Sequence, residues 1–192
     1  MYAFLLSTVV IFVAELGDKS QLMAMTFATR YRARDVILGI TAATAIVHLA
    51  SVGIGVAIGS SFADYQDWIS IVAGVAFLVF AGWTLRGDEL TDEEAQKAKN
   101  SKGLAILAVG AAFFLAELGD KTMLATITLA TQEGWFGTWL GSTVGMVAAD
   151  ALAIAAGVLL GRQLPEKVIK YGAAAAFLVF GLLLVAQGVG WL

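Results

Sequence analysis

The sequence predicts an all-α membrane protein of six transmembrane helices, built as two inverted three-helix repeats with both termini on the non-cytoplasmic side. Four observations carry that prediction. Apolar runs of about 18 or more residues recur along the chain, as membrane spans require. Mean hydropathy is +0.84 and only 14% of the 192 residues are charged, against about a quarter in a soluble domain. A polar string, Glu-Leu-Gly-Asp-Lys, stands at 15–19 and again at 117–121. Every Lys and Arg outside those strings falls in alternate connections between the apolar runs.

In chain order the spans are expected at about 2–28, 36–60, 68–86, 103–131, 136–161 and 168–190. At about 1.5 Å rise per residue, each suits a hydrocarbon core about 30 Å thick, the longer ones with tilt. Arg30, Arg32 and Arg34 follow span one; Arg86, Lys97, Lys99 and Lys102 follow span three; Arg162, Lys167 and Lys170 follow span five. The opposite loops, around Asp64–Asp67 and Glu133, have no basic residue. The positive-inside rule therefore puts the basic loops in the cytoplasm. Trp68, Trp83, Trp135, Trp139 and Trp191 fall near span ends, where amphipathic rings settle. With no cysteine the chain has no disulfide or thiolate metal site. No cleavable signal peptide is expected, because the first apolar run lacks a basic lead and contains the first polar string.

The repeat divides the chain into a first three-helix unit at 1–86, a charged cytoplasmic connector at 87–102 and a second unit at 103–192. At the spacing that carries Glu15 to Glu117, Ala28-Thr29 overlays Ala130-Thr131, and Gly39, Gly55 and Gly59 overlay Gly141, Gly157 and Gly161. After a two-residue slip, Ala76-Phe77-Leu78-Val79-Phe80 matches Ala176-Phe177-Leu178-Val179-Phe180. Three spans is an odd number, so the second copy enters the bilayer from the other face, the plan of many secondary transporters. In the connector, Thr91-Asp92-Glu93-Glu94 reads as a capping box opening a short solvated helix. The pairs Gly55–Gly59, Gly141–Gly145 and Gly157–Gly161 allow close helix packing, Gln187 is expected to bond between helices, and the methionines to fill gaps.

The chemistry lies in the doubled string. Each ionisable group at mid-membrane costs about 2.5–3.5 kcal/mol on insertion scales, so such groups are retained for use. On a continuous helix Glu15, Asp18 and Lys19 fall within about 60° of one another, with Thr26 and Thr29 extending the stripe. Glu117, Asp120, Lys121, Thr128 and Thr131 repeat it. Gly17 and Gly119 sit between the acids, where the backbone can open its carbonyls or admit a neighbour. Facing each other, the strings supply four carboxylates with hydroxyl and carbonyl oxygens, a set suited to a hard cation such as Mn²⁺, Ca²⁺ or Mg²⁺. Four carboxylates and two ammoniums leave a charge of about −2, which one divalent ion neutralises. Without the ion, burial and mutual repulsion favour bound protons, so metal and protons exclude one another as exchange requires. Lys19 follows Glu15 at the i,i+4 spacing of an intrahelical pair, and Lys121 follows Glu117 likewise. Helix-stabilising pairs alone would leave one acid over in each half.

His48 and Asp150 occupy equivalent mid-span positions. His48 is expected to be hydrogen-bonded to a neighbouring helix, with a proton relay as the other reading. Asp150 is expected to pair with Lys121 or to join the metal shell.

The doubled Glu-x-Gly-Asp-Lys-Ser/Thr motif, in a six-span chain with a charged central loop, resembles the Gdt-type family of calcium/manganese–proton antiporters. That family includes Golgi proteins of eukaryotes and small bacterial manganese exporters. The resemblance covers nearly the whole chain, and no position of either motif departs from the pattern. It implies proton-coupled transport of a divalent cation, with Glu15, Asp18, Glu117 and Asp120 as ligands and Ser20 and Thr122 in support. The compact length suits a bacterial member exporting Mn²⁺ across the cytoplasmic membrane.

The expected partners are thus a divalent ion, protons and the lipid bilayer, with no nucleic acid, no cofactor and an open oligomeric state. A Ca²⁺/H⁺ antiporter of the same architecture, a passive divalent-cation channel and a small-solute exporter are the alternatives. An enzyme is not expected: the sequence has no His-rich metal set, no Ser/His/Asp arrangement and no phosphate-binding glycine loop.

Overall fold

The computed structural model describes residues 1–86, 104–160 and 166–191; the connector with its expected capping box, and Gly161, lie outside them. The elements are α1 (Tyr2–Glu15), α2 (Lys19–Ala28), α3 (Ala33–Ser61), a 3₁₀ turn (Ala63–Tyr65), α4 (Gln66–Arg86), α5 (Ala105–Glu117), α6 (Lys121–Ala130), α7 (Trp135–Leu160) and α8 (Glu166–Gly188). Among the described residues there is no strand. Three stretches, Ala33–Ser61, Asp67–Arg86 and Trp135–Gly157, are long and apolar enough to cross a membrane.

Large apolar side chains cover the outside, while the mid-chain ionisable groups are buried. Leu5, Val9, Ile46, Val79, Leu115 and Val179 are exposed, whereas Glu15, Asp18, His48, Glu117, Asp120 and Asp150 are buried. Such an outer surface in water would be a large sticky patch; against lipid it is the ordinary exterior of a membrane protein, for which lipid tails are as apolar as Leu.

The stripe drawn on a continuous helix is corrected: each polar string breaks its helix, the opening that its glycine was expected to allow. Leu16 turns to extended backbone (φ −61°, ψ 122°) and Asp18 likewise (φ −79°, ψ 163°), with Gly17 between them at φ +76°. Leu118, Gly119 (φ +80°) and Asp120 repeat the turn. Only glycine takes a positive φ without steric cost, and no other described residue type has one here. The break therefore lies between the two acids of each motif, a consequence of the glycine that helical spacing alone does not show.

Close glycine contacts fix how the helices run. A Cβ on Gly39 of α3 would lie 2.8 Å from the Ile106 carbonyl oxygen, and one on Gly141 of α7 would lie 2.4 Å from that of Phe4. A Cβ on Gly55 would meet the Ile127 carbonyl at 2.4 Å, and one on Gly157 would meet Met25 at 2.8 Å. In each case the same two sequence positions meet in both parts of the chain, with the roles exchanged. The contacts advance together, so α3 runs parallel to α5 and α6, and α7 runs parallel to α1 and α2. By contrast Gly74 meets Gly181 and Gly188 meets Asp67, so the equivalent helices α4 and α8 run antiparallel.

These are the contacts that a twofold axis perpendicular to the helices would produce, and two join positions that the sequence repeat makes equivalent: Thr44 Oγ1 lies 3.4 Å from Met146 Sδ, and the Phe77 and Phe177 rings are 5.8 Å apart. Around the second, Phe80 and Phe180 complete an aromatic cluster between α4 and α8.

Candidate functional site

Each break presents two carboxylates to one hydroxyl. Glu15 ends α1, Asp18 is the N-cap of α2, and Ser20 lies in its first turn. Ser20 Oγ donates to Glu15 Oε1 and lies 3.3 Å from Asp18 Oδ2. In the second motif Thr122 Oγ1 is 2.9 Å from Glu117 Oε2 and 3.4 Å from Asp120 Oδ2. A hydroxyl has one proton to donate, so within each motif it serves one acid at a time. The N-terminus of a half-helix favours the negative charge of Asp18 and Asp120, while the carbonyl end of the other half favours a cation.

The motifs meet. Lys121 at the start of α6 donates to Asp18 Oδ1, an ion pair in which both side chains are buried. Glu15 lies close enough to Asp18, Glu117, Asp120 and Asp150 for their charges to act on it, as Glu117 does to Asp18, Asp120 and Asp150. The lysine expectation is corrected: Glu15 and Lys19 stand on different helices, as do Glu117 and Lys121, so no i,i+4 pair exists, and Lys121 reaches across to the other motif.

Several lone pairs inside the site have no protein partner. They are Glu15 Oε2, Glu117 Oε1 and both oxygens of Asp150. Asp150 is thus not paired with Lys121. His48 is fully buried and neither ring nitrogen has a partner, which corrects the expected interhelical bond. Among the described residues no three His, Asp or Glu stand as a ready-made metal cage. The stripe of hydroxyls does not extend the site either. Thr26, Thr29, Thr128 and Thr131 all donate to carbonyls of their own helices.

One residue that the sequence analysis passed over joins the two parts. Gln21 Oε1 accepts from the Gly17 N–H at 2.8 Å, and its Nε2 donates to the Ala149 carbonyl on α7, also at 2.8 Å. The equivalent residue, Met123, accepts from the Gly119 N–H at 3.2 Å through its sulfur. It has no donor to offer α7's counterpart. The signal in the sequence was a lone amide in an apolar helix, four residues past the glycine.

A cavity of ≈ 600 Å³ opens beside α6, lined by Asp67, Ser70, Thr128, Gln132, Glu133 and Gln187 among others. Partial burial raises the Glu133 carboxyl above its ordinary range. Gln187 is exposed and borders this cavity.

Comparison with known proteins identifies the family. The family model described as "Divalent cation/proton antiporter GDT1" matches residues 3–92 and 105–191. The chain belongs to that family. It is 33% identical over 186 residues to a Vibrio cholerae protein named "Putative manganese exporter", covering 95% of this chain and 90% of that protein. A Synechocystis GDT1-like protein is 28% identical, with 94% and 95% covered. The Arabidopsis chloroplast protein PAM71 is 34% identical over 96% of this chain, which spans only 56% of the plant protein's length. No solved structure matches. The family is one of transporters rather than enzymes, and its transported species are divalent cations and protons.

Proposed function

We propose that this antiporter exports Mn²⁺ from the cytoplasm in exchange for protons, using Glu15, Asp18, Glu117 and Asp120 as the ion's ligands. One observation carries the proposal: the buried Asp18–Lys121 pair joins the two motifs, so that the acids of both act on one another in one dry region. The name of the Vibrio relative, and a donor set made of oxygens, support Mn²⁺ as the cargo.

The architecture follows from the same reading. Residues 1–86 and 104–191 act as two inverted units, in which α1 with α2 and α5 with α6 each make one interrupted span. The other four helices cross singly, giving six spans. The antiparallel packing of α4 on α8 supports the inversion, and the basic loops set the orientation in the cytoplasmic membrane, termini outward.

In the mechanism, Lys121 holds Asp18 while no metal is present. Mn²⁺ arriving from the cytoplasm displaces protons and the ammonium and draws the carboxylates of both breaks together. Ser20 and Thr122 then turn from one acid to the other. Rocking of the units moves access outward, where protons displace the metal.

The test is Mn²⁺ movement driven by a pH gradient in proteoliposomes. Glu15→Gln or Glu117→Gln is expected to abolish it while the protein remains monodisperse and folded. Near-normal transport by both variants would remove the motifs from the mechanism.

A further inference from the structure

Asp150 and His48 are equivalent by the twofold yet chemically unlike, and both are fully buried with no polar partner. Asp150 belongs to the site region. The peptide carbonyl just before it is held by Gln21, whose other end caps the Gly17 break, and its charge acts on Glu15 and Glu117. Lys121, the buried lysine of the second motif, donates to Asp18. A buried carboxylate with two idle oxygens costs several kcal/mol unless something positive joins it.

The twofold fixes where the two residues stand. Thr44 and Met146 touch at the axis, and His48 and Asp150 each lie four residues further along, one helical turn or about 6 Å. The equivalent helices α3 and α7 are reversed relative to one another, so these displacements point in opposite directions. With the orientation proposed above, Asp150 lies on the cytoplasmic side of the axis and His48 on the outer side.

We propose that Asp150 is a fifth carboxylate of the cation site, engaged when the site faces the cytoplasm, and that His48 takes its place as an uncharged ligand when the site faces outward. In an inverted-repeat transporter the two units exchange conformations between the two states. Identical units would hold the ion equally tightly on both sides. Here the exchange swaps a carboxylate for an imidazole, and a hard cation prefers the charged oxygen. The ion is held more tightly where it is loaded than where it is released, so this pair of side chains sets the concentration at which each face works while the gradients set the direction. The inference rests on the transport reading above and deepens it.

The experiment measures KM for Mn²⁺ separately at each face, in proteoliposomes with uniformly oriented protein. Asp150→Asn is expected to raise the cytoplasmic KM by about tenfold or more, the scale on which groups around a metal act, and to leave the outer KM within about twofold. His48→Asp is expected to lower the outer KM by about tenfold, and the double exchange, Asp150→His with His48→Asp, to reverse the sidedness. Equal changes at both faces, or none at either, would overturn the inference. If Asp150→Asn is inactive or fails to fold, His48→Asp decides alone, and an unchanged outer KM overturns it. Glu117→Gln in the same vesicles separates the two proposals. Transport surviving that substitution sinks the central site itself, whereas its loss beside symmetric Asp150→Asn kinetics sinks only the sided role.

Discussion

Gln21→Met is the most informative single change, because the protein already contains its outcome at the equivalent position. Met123 shows that a thioether there still accepts from the glycine N–H, at 3.2 Å against 2.8 Å for Gln21. The substitution therefore keeps the cap on the Gly17 break and deletes one bond, from Nε2 to the Ala149 carbonyl. That carbonyl lies inside α7 and retains its own helical partner, so no buried group is left bare. The loss is then an ordinary net hydrogen bond, about 0.5–1.5 kcal/mol, or about a 2- to 13-fold shift in an equilibrium. In the rocking proposed above, α2 and α7 belong to opposite units and this bond is broken, so the shift falls on the balance between tethered and untethered states. Amide hydrogen exchange reads it directly: in the variant, α7 around Asp150 is expected to exchange about 2- to 13-fold faster, with KM altered more than the folded yield. Gln21→Glu should be worse, since it sets a carboxylate against the carbonyl and adds another acid to the site. Unchanged exchange across α7 together with an unchanged KM would refute the tether.

Two further outcomes follow from the site's geometry. Gly119 sits at φ +80° with nothing within 4 Å of a would-be Cβ, so Gly119→Ala pays only a backbone cost of about 1–2 kcal/mol, and Gly119→Asn less. Thermal unfolding in detergent should rank wild type above Asn above Ala; an Ala variant as stable as wild type would mean the break is not held in this form. Lys121→Met removes the buried ammonium that donates to Asp18, and breaking a buried pair costs up to about 3–5 kcal/mol. Its metal-free melting temperature should fall, and added Mn²⁺ should restore more stability to it than to wild type; equal metal shifts would exclude Lys121 as the ion's stand-in.

The long helices were legible because hydropathy and length act along the chain. Expected bounds such as 36–60 and 136–161 fall within a few residues of Ala33–Ser61 and Trp135–Leu160. The pairing of Phe77 with Phe177 was legible through a repeated Ala-Phe-Leu-Val-Phe, although the string does not say that the copies touch. What the sequence hid is what depends on three dimensions. A helical wheel assumes 100° per residue, and one glycine at positive φ voids it, which separates Glu15 from Lys19. The partner of Lys121 lies 103 positions away, beyond any local spacing rule. Gln21 was hidden because its importance lies in the Ala149 carbonyl it reaches, a backbone group that every residue carries and no sequence pattern marks.

The absence of a ready-made cage among the described residues bears on how such a protein avoids trapping its cargo. A rigid shell of four carboxylates would bind a divalent ion tightly and release it slowly. Here each motif keeps its two acids around a single-proton hydroxyl, and the motifs are linked through the Lys121 ammonium. In the mechanism proposed above, metal binding breaks the Lys121–Asp18 pair and reorganises two hydroxyls before the full charge of the site is felt. Part of the binding energy then goes into that rearrangement, which lowers affinity and couples occupancy to the relative position of the two units. On that reading, a site that is incomplete at rest links the ion's arrival to the motion that carries it across.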